Sequence, residues 1–206
     1  MISLGTDIST RESPVALMAI LKHGTADVHR EIEAAFPLMR PDLTLERYLD
    51  VLVRLYAIYY SLEKNYRGFS DAYGPRLNLD KRRKTDLLAS DLKALGLRDD
   101  QIEALRPGFE IPSIATIEDL IGTLYVIEGS TLGGQVIQAV LKRRLKLTDD
   151  QLHFFNSYGS ETHAMWREFR ATAEALIERS RFDDVLTRAR LVFSCMTKVL
   201  SQPLKT

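Results

Sequence analysis

Cysteine is almost absent from this chain of 206 residues: Cys195 stands alone, so no intramolecular disulfide can form and a reducing compartment is the easier setting for the fold. Net charge is absent too. The 28 basic and 28 acidic side chains cancel at pH 7, which removes the general attraction that a nucleic-acid or anionic-membrane binder relies on. No apolar run reaches the roughly 20 residues of a membrane-spanning helix before a charge interrupts it. The opening stretch MISLGTDISTRESP carries acids and polar groups where a secretory signal needs an unbroken apolar core. A soluble, cytoplasmic protein is the expectation. No segment alternates with a period of two, no internal repeat is visible, and no linker is long enough to divide the chain. With 45% hydrophobic and 27% charged residues there is material for one sizeable core and no compositional sign of disorder.

What is present reads as helix. Ser13 and Pro14 suit an N-cap and a first turn, and Val15, Leu17, Met18, Leu21 and Val28 then recur at helical spacing, so a first helix is predicted to about Phe36, before Pro37. Thr44 caps a second helix through about Tyr66, apolar at Leu45, Tyr48, Leu49, Leu52, Leu55, Tyr56 and Tyr59. Gly68 to Pro75 reads as a partial break. A third helix, from about Asp80 to Leu95, ends at Gly96 as a left-handed cap. The segment RPGFEIPS, residues 106–113, is a loop feeding a long helix from about Ile114 to Leu145. Two more helices are predicted near Glu161 to Arg179 and Asp183 to Leu200, with Thr148 capping a shorter one between. The expected fold class is all-α: a single compact domain over residues 1–206, of which residues 1–13 form a flexible N-terminal segment.

Two features of this helical chain call for an explanation. Gly129, Gly133 and Gly134 interrupt the long helix, and each glycine in a helix interior costs about 1 kcal/mol relative to alanine. Such a bare face suits a close neighbour, either another helix or a flat ligand. In LKHGTADVHREIE, helical geometry gathers Lys22, Thr25, His29 and Glu33 on one stripe: a cation, a hydroxyl, an imidazole and a carboxylate. A lone histidine is most often structural and is far from a bare metal site. A haem changes the arithmetic, because the porphyrin fills four iron positions and one histidine suffices.

Taken together, LKHGTADVHREIE resembles the proximal helix, and YVIEGSTLGGQVI the distal helix, of the biliverdin-producing haem oxygenase family, bacterial type, with matching order and separation over essentially the whole chain. The resemblance implies haem sandwiched between the two helices, with haem b as both cofactor and substrate and O2 as co-substrate. Its products would be biliverdin, carbon monoxide and ferrous iron. It makes His29 the proximal iron ligand, Glu33 an orienting neighbour, and Gly129, Ser130, Gly133 and Gly134 the distal face. Lys22 is the first candidate for a propionate partner, with Thr25 on its stripe. Arg167 and Arg170 in AMWREFRAT and Tyr158 are further candidates, against a plain surface reading for each, and Phe193 would wall the pocket or simply pack in the core. The animal enzymes carry an aspartate where this chain has Ser130, so a different proton-delivery network is implied. Glu128, about 100° round the helix from Gly129, is not expected to replace it.

No Rossmann glycine fingerprint or iron–sulfur cysteine spacing is present, so electrons must come from an external donor such as a ferredoxin or a flavoprotein reductase. The resemblance extends to a bacterial phytochrome as recipient of the biliverdin, and a monomer is the default. A non-enzymatic haem carrier or sensor is the first alternative. A di-iron carboxylate protein would need paired Glu-x-x-His elements, whereas Asp150 and His153 form a single Asp-x-x-His. A thiaminase-like enzyme would use Cys195 as nucleophile, although its apolar neighbours suit packing better.

Overall fold

The computed structural model describes residues 16–105 and 111–202, and among them all regular structure is helical. The Ser13–Pro14 cap and residues 106–110 of the expected loop lie outside the described residues. The first predicted helix is two, α1 (Leu17–Gly24) and α2 (Ala26–Ala35). Thr25 N donates to Leu21 O at 3.0 Å and His29 N to Thr25 O at 2.9 Å, so the hydrogen-bond ladder continues through a kink. Its causes are tertiary and local. Leu186 lies where a Cβ on Gly24 would stand, at 2.7 Å, and Arg190 takes the carbonyl of Gly24. The Thr25 hydroxyl also bonds back to Leu21 O at 2.7 Å, a contact that bends helices.

Thr44 caps α3 (Leu45–Tyr66), accepting from Arg47 N at 3.2 Å. The expected break at Gly68 to Pro75 is instead a 3-10 turn, Arg67–Phe69, running into α4 (Ser70–Leu77). Pro75 is tolerated near the end of this short helix because the end is anchored: Leu77 is buried and Arg82 Nε donates to its carbonyl. Asn78, at φ 49°, then turns the chain out of α4. The third predicted helix divides into a 3-10 turn, Leu79–Arg82, and α5 (Thr85–Ala94). Gly96, at φ 99°, closes it while Leu97 N reaches back to Leu92 O at 3.1 Å. A short helix that the periodicity did not mark, α6 (Asp99–Glu103), follows.

The glycine-bearing helix is α7 (Ile117–Leu145), started by a reciprocal Thr116–Asp119 capping box. Thr148 precedes the 3-10 turn Asp149–Gln151, and α8 (Thr162–Leu176) and α9 (Phe182–Leu200) complete the chain. Helix α9 is the spine: α7 lies along one side of it, and α1 and α2 pack on it as well. The α7–α9 approach is tight at Gly122, where a Cβ would stand 2.7 Å from Val185 O and 2.8 Å from Arg188 Cβ. Tyr48 and Leu52 of α3, Leu120 and Leu124 of α7, Phe169 of α8 and Val185 and Ala189 of α9 share one buried core. Each large side chain among them contributes about 1.5–3 kcal/mol by leaving water. That core fixes α2 and α7 as two separate walls.

Candidate functional site

Between those walls lies a cavity of about 710 Å³, within the usual range for cofactor sites. One wall comes from α1 and α2, with Lys22, Thr25, His29, Ile32 and Glu33. The other comes from α7, with Tyr125, Val126, Gly129, Ser130, Gly133 and Gly134. Leu55 and Tyr59 of α3, Phe154 and Phe155, Trp166 of α8, and Phe193 and Met196 of α9 close the remainder.

His29 leans its ring edge-to-face on Phe193, with centroids 5.5 Å apart and planes at 70°. Its Nδ1 faces Glu33 Oε1 at 3.5 Å, one helical turn on. The helix turn that carries it is tied to α9. Arg190 makes a two-pronged pair with Asp27, at 2.6 and 2.7 Å, and its hydrogen bond holds the Asp27 carboxyl well below the usual carboxylate range. Thr25 lines the cavity, although its hydroxyl is engaged by Leu21 O.

The α7 glycines serve different ends. A Cβ on Gly133 would meet nothing within 4 Å, and one on Gly129 would touch only Trp166, at 3.9 Å. One on Gly134 would stand 2.4 Å from Phe155 O. Gly129 and Gly133 therefore hold the wall bare toward open space, while Gly134 lets the 154–155 segment seat against the helix. Ser130 Oγ lies 3.3 Å from the Tyr59 hydroxyl and also donates to Ile127 O at 2.7 Å. Burial raises the Tyr59 hydroxyl well above its ordinary value.

The cavity thus gathers Lys22, Thr25, His29, Glu33, Gly129, Ser130, Gly133, Gly134 and Phe193. Three expected contacts stand elsewhere. Arg167 and Arg170 are exposed on α8, because Met165, Phe169 and Ala173 set that helix's buried phase; Trp166 is the residue of the segment that reaches the cavity. Tyr158 turns away to donate to both oxygens of Glu128, at 2.9 and 3.0 Å.

Glu128, set aside from sequence, is the hub of a buried ionic cluster behind α7. It pairs with the fully buried Arg82, and Lys84 Nζ approaches its Oε1 at 4.0 Å. Lys84 lines the cavity. Nothing in KRRK, residues 81–84, marks its last member as buried, whereas Tyr59 was visible on the apolar face of α3 and needed only its partner. His153 pairs through Nδ1 with Asp91, at 2.9 Å, rather than with Asp150. The thiol of Cys195 is pushed up by burial, opposite to what an activated nucleophile requires. Among the described residues no cluster of three or more metal-ligating side chains occurs and no helix is long and apolar enough to cross a membrane.

Comparison with known proteins bears on the family and the fold of the chain. The family model described as Heme oxygenase matches residues 15–202. A protein named Heme oxygenase from Xanthomonas campestris pv. campestris is 33% identical over 114 residues, which span 55% of this chain and 64% of that protein. The solved structure of heme oxygenase from Leptospira interrogans superposes with a TM-score of 0.73 at 21% identity, covering 91% of this chain and 99% of the other. Heme oxygenase-1 of Synechocystis, solved in complex with heme, gives a TM-score of 0.73 at 16% identity over 90% of this chain and 91% of its own.

Proposed function

From its membership of the haem oxygenase family, to which this chain belongs by the match over residues 15–202, we propose that it cleaves haem at a meso carbon to biliverdin, carbon monoxide and ferrous iron, using O2 and external electrons. The observation that carries the reading is His29 on α2 facing, across a cavity of about 710 Å³, the stretch of α7 that Gly129 and Gly133 leave bare. One imidazole and an open apolar slot suit a cofactor that brings four nitrogens of its own. Bound haem b would supply the redox-active iron and would itself be the substrate.

The chain's part is placement. With the Nδ1 proton held toward Glu33, His29 Nε2 keeps the lone pair an iron would take. Phe193 fixes the ring's tilt from α9. Lys22, two turns before His29 on the same wall, offers a cation to a propionate at the cavity mouth. Bare backbone at Gly129 and Gly133 admits a small ligand and ordered water close to α7, and the apolar rings of Phe154 and Trp166 exclude bulk solvent. Ser130 and Tyr59 orient that water through their hydroxyls. Electrons come from a ferredoxin or a flavoprotein reductase in the cytoplasm, and a bacterial phytochrome is a fitting recipient of the product.

The test is anaerobic haem loading of the whole protein, followed by O2 and a competent electron donor, with spectra of wild type and His29→Ala. Loss of the haem band with appearance of biliverdin, dependent on His29, is the expected result. A stable complex that never yields product would make the protein a haem carrier or sensor, and absence of specific haem binding would remove the reading altogether.

A further inference from the structure

Four ionisable side chains with charges at or near neutral pH line the cavity: Lys22, His29, Glu33 and Lys84. The first three lie on the α1–α2 wall and are exposed. Lys84, at the N-cap of α5, is 1% exposed. Its backbone N–H is fixed by Glu63 Oε1, shared with Thr85 N. Its ammonium donates to Arg82 O at 3.1 Å, sits 3.7 Å above the ring of Tyr158, and keeps the 4.0 Å approach to Glu128. An ammonium has three donors. The Arg82 carbonyl takes one, Glu128 lies beyond hydrogen-bond distance at 4.0 Å, and the Lys84 side chain lines the cavity.

The opposite side of the problem is a missing acid. The α7 wall offers the Ser130 and Tyr59 hydroxyls, 3.3 Å apart. Both relay a proton well and release one poorly, Tyr59 the more so for being buried. A source must be a group that carries a proton near neutral pH and can let it go.

We propose that Lys84 is the proton donor on the α7 side of the cavity, passing a proton from Nζ to water beside the Tyr59–Ser130 pair. One N–H bond breaks, one O–H bond forms on that water, and a neutral amine remains. Glu128 and Tyr158 hold the amine in place until bulk water reprotonates it past the Glu63 carboxylate, whose Oε2 has no hydrogen-bond partner and faces the half-exposed Arg83 at 3.6 Å. No electron moves in this step. The groups acting on Lys84 are Glu63 of α3, Arg82 beside it in the chain, Glu128 of α7 and the ring of Tyr158; Arg83 faces Glu63, Tyr59 and Tyr66 lie near the same two carboxylates, and Glu168 of α8 pairs with Arg82. Burial dominates this balance. It lowers the ammonium to about 8 against the attraction of Glu128 and Glu63, which is where a general acid working near neutral pH is most effective.

The inference rests on the haem-degrading reading, and the experiment separates the two. Lysine-selective NMR of the haem-free protein, with Lys84→Met for assignment, follows the titration of Nζ directly. A lysine titrating near pH 8 that disappears in Lys84→Met is expected, and titration in the ordinary range above 10 overturns the proposal. In the haem-loaded protein, wild-type turnover should fall as pH rises through about 8. Lys84→Met should turn over roughly 100-fold more slowly, with that alkaline limb gone and haem affinity kept. Lys84→Arg, which retains charge and cannot release it, should stay equally slow; rescue by arginine would reduce Lys84 to a fixed positive charge and overturn the proton transfer. Unchanged turnover in Lys84→Met overturns the proposal alone, whereas a wild type that never converts haem overturns the functional reading and this proposal together.

Discussion

Replacing Gly133 and Gly134 of α7 separately by alanine should move stability in opposite directions, although they are neighbours in one helix. A methyl on Gly133 meets nothing within 4 Å, so Gly133→Ala gains the full helix preference of alanine, about 1 kcal/mol. For a chain of 206 residues this corresponds to a rise in Tm of roughly 2–4 °C. At Gly134 the same methyl stands 2.4 Å from Phe155 O, a backbone atom that cannot rotate aside. Overpacking of this kind costs about 1–3 kcal/mol, so the helix gain is cancelled or exceeded. Phe155 lines the cavity, and displacing it should loosen that wall as well. Thermal unfolding of the haem-free variants reads the first effect, and haem titration the second. Gly133→Ala should bind haem several-fold more weakly while melting higher, because its methyl enters the space the reading assigns to the ligand. A lower Tm for Gly133→Ala, or a higher one for Gly134→Ala, would refute the division of labour among these glycines.

Two other perturbations probe the buried charges behind α7. Arg82→Met leaves Glu128 enclosed without its guanidinium, and the loss expected for breaking such a pair is about 3–5 kcal/mol in urea unfolding; adding Glu128→Leu should recover most of it, and a double variant no better than the single would contradict the pairing. The wild type should also gain stability relative to Lys84→Met as pH rises from about 8 to 10.5. The sign follows from the lowered pKa: between those values the unfolded chain holds the lysine proton and the folded chain has released it, so folding becomes easier with rising pH. Equal pH dependence of the urea midpoints in the two proteins would place the folded-state titration of Lys84 where an exposed lysine has it.

The features legible in the sequence are those decided within a turn or two of chain. Thr44 names the start of α3 because its hydroxyl meets an amide three residues on, and Gly96 names the end of α5 because only a glycine enters that backbone region freely. The facing of His29 and the α7 glycines was readable for the same reason, each being a local pattern on one helix. The kink at Thr25 was not, since Leu186 and Arg190 impose it from α9. The phase of α8 lay between these cases: Met165, Phe169 and Ala173 at four-residue spacing already turn Trp166 inward and Arg167 and Arg170 outward.

Lys84 marks the other limit. Four consecutive cationic residues, Lys81 to Lys84, read as a solvated run because the cost of burying an ammonium is high and the local sequence holds nothing to offset it. The groups that offset it stand on α3, on α7 and before α8: Glu63, Glu128 and Tyr158. None of the three is informative alone, and only the fold brings them to one point. The same packing that hides the cation also closes one side of the cavity with it. A chain that carries Ser130 on its α7 wall, and so has a hydroxyl there instead of an acid, thereby acquires an ionisable proton carrier from a segment more than forty residues away, provided Arg82 neutralises Glu128 and leaves Lys84 incompletely paired. This makes Arg82 the residue through which stability of the cluster and acidity of Lys84 are coupled: strengthening the Lys84–Glu128 contact at its expense would raise the ammonium's pKa and silence the donor.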